Sequence, residues 1–266
     1  MRKGKKDRTA RVGKGRKITK NIERIKTGVP GFDELIAGGL EKNSIILIAG
    51  GTGTGKTNFS TKFLHYGAMN GEKGLYISFE EDPEQIKKHS KFLGMDFEEL
   101  EKKNMVKFIK VDIYQVARVV EAALLKAKGK LMIKLTEMPT ILPKGFKPER
   151  IVIDSLSALA SAFKRENYRY FIFNFFSQLK KTGAVTLAIS ETTTEPTEYS
   201  RTGIEEFLAD GVIVLYNIKH GDSRTRALEV LKLRGTKHEE KIVPFQITDK
   251  GIVVYPKQSI LAALSE

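Results

Sequence analysis

Ile45-Ile46-Leu47-Ile48-Ala49-Gly50-Gly51-Thr52-Gly53-Thr54-Gly55-Lys56-Thr57 is an apolar run that breaks into glycines and closes on a lysine and a threonine. The apolar residues predict a buried strand, and Asn58-Phe59-Ser60-Thr61-Lys62-Phe63-Leu64 beyond them predicts a helix. Between the two, Gly50 to Thr57 spells G-x-x-x-x-G-K-[ST], the phosphate-binding loop in the strand–loop–helix setting that it requires. Glycines let successive backbone N–H groups converge on phosphate oxygens, and the following helix N-terminus adds positive potential. Gly51, Thr52, Gly53, Thr54 and Gly55 are therefore expected to wrap a nucleoside triphosphate. Lys56 should reach its β- and γ-phosphates, and the Thr57 hydroxyl should ligate Mg²⁺. A plain glycine turn before a helix is the weaker account of a complete motif with both flanks.

Downstream, Leu75-Tyr76-Ile77-Ser78 predicts a second core strand ending in Phe79-Glu80-Glu81. Carboxylates just past a strand's carboxyl end stand where an α/β sheet places its catalytic groups. One of them there can orient and deprotonate the water that attacks a γ-phosphate. Asp82-Pro83 reads as the cap of the next helix. Arg150-Ile151-Val152-Ile153-Asp154 is a further strand ending in a carboxylate, about a hundred residues after the loop. Asp154 is expected to hold Mg²⁺ through water.

The other segments complete an α/β pattern. A short strand, a turn at Gly28-Val29-Pro30-Gly31 and a short helix ended by Gly38-Gly39 precede the loop. Met105 to Asp112 predicts a strand and Val116 to Ala127 a helix. Residues 128–150 read as a hairpin or flap carrying Lys128, Lys130, Lys134, Lys144 and Lys147, packed on its own domain or offered to a partner. Tyr168 to Lys181 is an aromatic-rich helix, better suited to a core or subunit interface than to base stacking. A strand at Ala184 to Ile189 runs into a polar loop over 192–202, followed by a strand at Asp210 to Tyr216. Three antiparallel strands, Thr225 to Arg234, Lys241 to Thr248 and Ile252 to Tyr255, close the chain.

Composition sets the outer bounds. The 266 residues suit one large α/β domain, and a 41% hydrophobic content supports a folded core. There is no cysteine, hence no disulfide and no thiolate metal site. No apolar run approaches the ~18 residues that span a bilayer, and the basic N-terminus lacks a signal peptide's apolar segment. A cytoplasmic protein without a membrane partner is expected. Abundant Lys and Glu with few Gln fit heat adaptation. Of the net charge of +14, +9 falls on residues 1–20, where ten Lys/Arg meet the single Asp7. This basic tail is expected to be disordered when free and to attract nucleic-acid phosphate; a solubilising tail is the plainer account.

Together with the loop, several segments make the chain similar to a single KaiC-type domain of the RecA-like ATPases. They are Lys26 to Leu35, Ser78 to Glu81, Val152-Ile153-Asp154-Ser155-Leu156-Ser157-Ala158, Gly203 to Gly211, and Glu229 to His238. The resemblance implies a RecA-like P-loop fold over residues 21–258, with a mostly parallel central sheet, flanking helices and C-terminal antiparallel strands. Residues 259–266 are left as a tail. It implies ATP and Mg²⁺ as cofactors, and Glu80 and Glu81 as the catalytic acidic pair. Lys232 and Arg234 match a pair that crosses an interface to a neighbouring subunit's triphosphate, and His238 is counted with the nucleotide-binding residues. Spacing alone is compatible, since residues two apart on a strand face the same way. A head-to-tail homo-oligomer follows, with a hexameric ring expected. The family's tandem clock proteins have two such domains and a phosphorylated pair in the second, so no clock or autokinase role is carried over. Single-domain archaeal relatives are recombinase paralogues, some of which bind single-stranded DNA. The leading expectation is thus a slow ATPase that modulates recombination or repair, meeting DNA through residues 1–20 and the 192–202 loop. The alternative is a nucleotide-dependent assembly or signalling scaffold.

Overall fold

The computed structural model describes residues 23–126, 141–192 and 198–260. The basic tail, the first part of the 128–150 segment with Lys128, Lys130 and Lys134, residues 193–197 of the polar loop and the last six residues lie outside that description. A small two-stranded sheet, β1 (Arg24–Ile25) with β2 (Leu40–Glu41), flanks α1 (Phe32–Leu35). The loop strand β3 (Ile45–Gly50) then enters the main sheet and leads into α2 (Lys56–Met69). β4 (Gly74–Ser78), α3 (Pro83–Phe92), α4 (Glu98–Lys102), β5 (Val106–Lys110) and α5 (Ile113–Lys126) follow. Next come β6 (Arg150–Asp154), α6 (Leu156–Ser161), α7 (Arg165–Lys180), β7 (Val185–Glu191) and α8 (Glu205–Leu208). The chain ends through β8 (Gly211–His220), β9 (Ser223–Leu233), β10 (Val243–Thr248) and β11 (Gly251–Val254).

The nine strands lie in the order β11-β10-β9-β8-β3-β7-β6-β4-β5. β8, β3, β7, β6, β4 and β5 run parallel, and β9 to β11 continue the sheet antiparallel, as expected from sequence. All residues of β3 are buried, which explains its unbroken apolar run. One face of the sheet packs against α1 and α2 through Phe32, Phe59, Phe63 and Tyr76. The other packs against α5 and α7 through Val116, Val120, Phe171 and Phe175. No helix among the described residues is long and apolar enough to cross a membrane.

Arg150 ties the loop helix to the sheet. It is 1% exposed and ion-pairs with Glu72, while its guanidinium donates to the Phe63 and Lys26 carbonyls, each at 2.9 Å. Its Cζ lies 4.5 Å from the centre of the Phe63 ring. Gly67 makes room for it: a Cβ there would stand 2.1 Å from the Arg150 Nε. The aromatic helix α7 divides as helical spacing requires. Tyr168, Phe171, Phe175 and Phe176 are buried, whereas Phe173 is 62% exposed. In the part of the 128–150 segment that is described, Ile141 and Phe146 are buried against the domain, with Lys144 and Lys147 at the surface.

Candidate functional site

β3 sits between β8 and β7, while the chain leaving it crosses to β4, so its carboxyl end is a topological switch point. The glycine loop lies there. Gly53 and Gly55 have φ of 74° and 95°, the left-handed region that admits glycine without strain. The Gly51 carbonyl accepts from both the Thr54 hydroxyl and the Lys56 ammonium, each at 2.8 Å. Lys56 is 9% exposed, and its burial pulls its pKa below the ordinary lysine value, partly offset by Glu191 and Asp154.

Neighbouring strands bring the acidic groups alongside. Ser78 pairs with Asp154, and the Phe79 N–H donates to the Asp154 carbonyl at 2.7 Å. Asp154 Oδ2 lies 3.5 Å from the Thr57 hydroxyl and accepts from the Tyr76 hydroxyl at 2.5 Å. Burial raises the Asp154 pKa and Glu80 and Glu81 push the same way, while the Tyr76 hydrogen bond and Lys56 oppose them. The Ser155 hydroxyl caps α6 through the Ala158 N–H and donates to Glu80 Oε2 at 3.2 Å. Glu81 turns the other way, with Oε1 3.3 Å from His89 Nδ1. Asp82 caps α3 as predicted, accepting from the Glu84 N–H.

These residues fit Mg²⁺ better than a metal that demands a protein cage. Among the described residues no cluster of three or more His, Asp or Glu could hold an ion unaided. Mg²⁺ needs only one or two protein oxygens when substrate phosphates and water supply the rest. Thr57 and Asp154 offer such a pair beside an excess of carboxylate.

Lys232 and Arg234 do not join this constellation. Gly50 pairs with Leu215 on β8, whereas Lys232 pairs with Val212, near the amino end of β3. Three residues of strand, Val212 to Leu215, separate the two levels, about 10 Å at ~3.3 Å per residue. β9 ends at Leu233, so Arg234 lies just beyond the strand rather than on it. Both side chains nevertheless turn to α8. Lys232 donates to the Glu206 and Ala209 carbonyls at 2.8 and 2.7 Å, and Arg234 to the Phe207 carbonyl at 2.9 Å. His238 follows in the same connection, half-buried, with Nδ1 3.5 Å from the Glu239 carbonyl.

Three further residues stand at the loop, and the sequence reading did not name them as site residues. Arg226 on β9 donates to the Gly53 carbonyl at 3.3 Å. Glu191 ends β7 opposite Gly50, and Tyr76 holds Asp154. Glu191 carries the same signal as Glu80, a carboxylate at a strand's carboxyl end; the other two depend on pairing that spacing does not reveal. A cavity of about 710 Å³ lies elsewhere, against α7 and α8, lined by Tyr170, Phe173, Ile204, Phe207 and Leu208 together with Glu166 and Arg169. Its lining is mostly apolar and holds none of the loop, Asp154 or Glu80, so volume does not locate the chemistry here.

Comparison with known proteins agrees with this geometry. The family described as "ATPase: KaiC" matches residues 25–259. A UPF0273 protein of Thermotoga maritima is 36% identical over 244 residues, covering 89% of this chain and 98% of that protein. The circadian clock protein KaiC3 of Synechocystis sp. is 34% identical over 244 residues, covering 91% of this chain but 47% of its own length. This chain thus spans about half of that clock relative. A crystal structure of a KaiC-like protein from the hyperthermophilic archaeon Pyrococcus horikoshii OT3 superposes with a TM-score of 0.72 at 33% identity, covering 88% of this chain and all of that one.

Proposed function

The chain belongs to the KaiC family of ATPases, and from that premise we propose an Mg²⁺-dependent ATP hydrolase whose site is completed by a second copy. The observation that carries this reading is the meeting of Lys56, Thr57, Asp154 and the Ser155-held Glu80 at one end of the sheet. On binding, the Lys56 ammonium exchanges the Gly51 carbonyl for β- and γ-phosphate oxygens. When bound, Mg²⁺ neutralises charge across those oxygens, with Thr57 and Asp154 as its protein contacts. Glu80 takes a proton from water as the water oxygen attacks the γ-phosphorus. The bond to the β–γ bridging oxygen breaks, and ADP and phosphate leave. Ser155 supports Glu80 over Glu81 as the base, since Glu81 is engaged by His89 on α3.

The position of Lys232 and Arg234 favours action in trans. They stand two strands away from β3 and nearer its amino end, whereas their own glycine loop leaves its carboxyl end. Head-to-tail contact, repeated to a closed ring of six, would bring them with His238 to a neighbour's triphosphate. For nucleic acid the support is the +9 charge of residues 1–20; binding of single-stranded DNA by that arm and the 192–202 loop, with a role in recombination or repair, is proposed on this ground alone.

Phosphate release by the purified chain tests both parts, with and without Mg²⁺ and single-stranded DNA, at several protein concentrations and two salt levels. Turnover per subunit that rises with concentration is expected from a shared site, and stimulation by DNA that weakens with salt is expected from the arm. Turnover independent of concentration down to dissociated monomer would overturn the trans site. Turnover indifferent to DNA would leave the nucleotide-dependent scaffold as the better account.

A further inference from the structure

Tyr76 takes no part in the hydrolysis just described, yet it grips one of the carboxylates that does. It lies in the middle of β4, fully buried, two residues before the strand end that pairs with Asp154. Its ring stacks on Phe108 at 5.2 Å, and Phe108 meets Phe97 edge-on at 5.0 Å. The surroundings are apolar, with Phe59, Phe63 and Val152 in the same cluster. Phenylalanine would pack in such a place without a hydroxyl that needs a partner. The hydroxyl finds its partner in Asp154 Oδ2 at 2.5 Å, the oxygen that faces the Thr57 hydroxyl at 3.5 Å.

The backbone at Asp154 is already fixed. Its carbonyl accepts from the Phe79 N–H, and Ser155 caps α6. What remains free is rotation of the carboxylate about its own side-chain bonds, and the Tyr76 hydroxyl removes that freedom. We propose that Tyr76 is a positioning residue for the divalent cation: it holds the Asp154 carboxylate turned toward Thr57, so that both oxygens are in place before nucleotide and metal arrive. The inference rests on the Mg²⁺-dependent reading above. Partners that orient a metal-binding group characteristically contribute about 10–100-fold in metal affinity or activity.

The test uses the full chain, a fluorescent ATP analogue and a titration with MgCl₂. Tyr76→Phe keeps the ring and its stacking and deletes only the hydroxyl. The Mg²⁺ concentration for half-maximal effect on analogue binding should rise about tenfold or more. Binding without Mg²⁺ should be unchanged, and hydrolysis should largely recover at saturating Mg²⁺. In an Asp154→Asn background, Tyr76→Phe should add no further shift. Phe108→Leu, which loosens the ring but keeps the hydroxyl, should displace the curve in the same direction by less, and it carries the test should Tyr76→Phe fail to fold. Magnesium curves of Tyr76→Phe or Phe108→Leu that superimpose on the parent, whatever the melting temperature, would overturn the inference and reduce the bond to a structural one. A parent that ignores Mg²⁺ would instead overturn the hydrolase reading, and the role of Tyr76 with it.

Discussion

The Lys56 ammonium donates to the carbonyl of Gly51, five residues earlier in the same loop, at 2.8 Å. A buried cation is thus held by one neutral carbonyl until phosphate replaces it. Lys56→Met should lower triphosphate affinity about ten- to a hundredfold, since a hydrogen bond to a charged group contributes about 1.5–3 kcal/mol. Equilibrium binding of a labelled nucleotide measures this directly.

Lys56 also has a pH signature. Burial holds its folded pKa below the ordinary lysine value of 10.5, so charging it opposes folding. The full cost applies below the folded pKa and fades as pH rises from there to 10.5. The difference in melting temperature between parent and Lys56→Met, without nucleotide, should therefore move in the parent's favour across that alkaline window. A difference that stays flat with pH would contradict the assigned burial.

Asp154 sets function against stability. Its folded pKa is raised, chiefly by burial, so its ionised form destabilises the native state at every pH above that value. Asp154→Asn should raise the melting temperature of the free protein near neutral pH by ~2–4 °C for each kcal/mol relieved. The same change should abolish the Mg²⁺ dependence of nucleotide binding. Calorimetry and the MgCl₂ titration read the two effects separately.

The two neighbouring glutamates should part company. Glu80→Gln should cut hydrolysis by about 10²–10⁴ while nucleotide binding persists, because the amide keeps the shape and loses the base. Glu81→Gln should retain most activity, since its carboxylate faces His89 and its backbone carbonyl, which holds the Ser78 hydroxyl, is untouched.

Subunit mixing tests the trans pair. Lys232→Ala with Arg234→Ala should lower turnover by about 10³ or more if the pair acts as an arginine finger does. Mixed with Glu80→Gln protein, it should regain activity, since some interfaces then combine an intact loop site with an intact cation pair. Two inactive proteins that stay inactive when co-assembled would place the pair in cis.

Legibility in the sequence followed the range of the interactions. The glycine loop, its strand and its helix are contiguous, so local spelling was enough; Asp82 capping α3 is equally local. Glu80 and Asp154 were found because each ends an apolar run. Arg226 reaches Gly53 only because β9 folds back beside β8 with Arg226 opposite Asn217, and nothing near Arg226 in sequence announces it. Tyr76 reads as one more core aromatic until β4 and β6 are laid side by side. The strand expected over Asp210 to Tyr216 runs from Gly211 to His220, because pairing with β9 carries it on. Lys232 and Arg234 were identified by resemblance, but their seat on α8 was not foreseen, since a four-residue helix leaves little periodic trace.

The sheet register has one more consequence. The glycine loop leaves the carboxyl end of β3, and the Lys232–Arg234 pair stands beside its amino end, with β8 and β9 as the rigid link between them. With that pair acting on a neighbour, each subunit becomes a ruler laid between two consecutive active sites, its markings the residues of β8. Lengthening β8 and β9 together by two residues would keep the alternation of inward- and outward-facing side chains. It would nonetheless change the gauge, so that the chain folds as before and no longer meshes with its own copies.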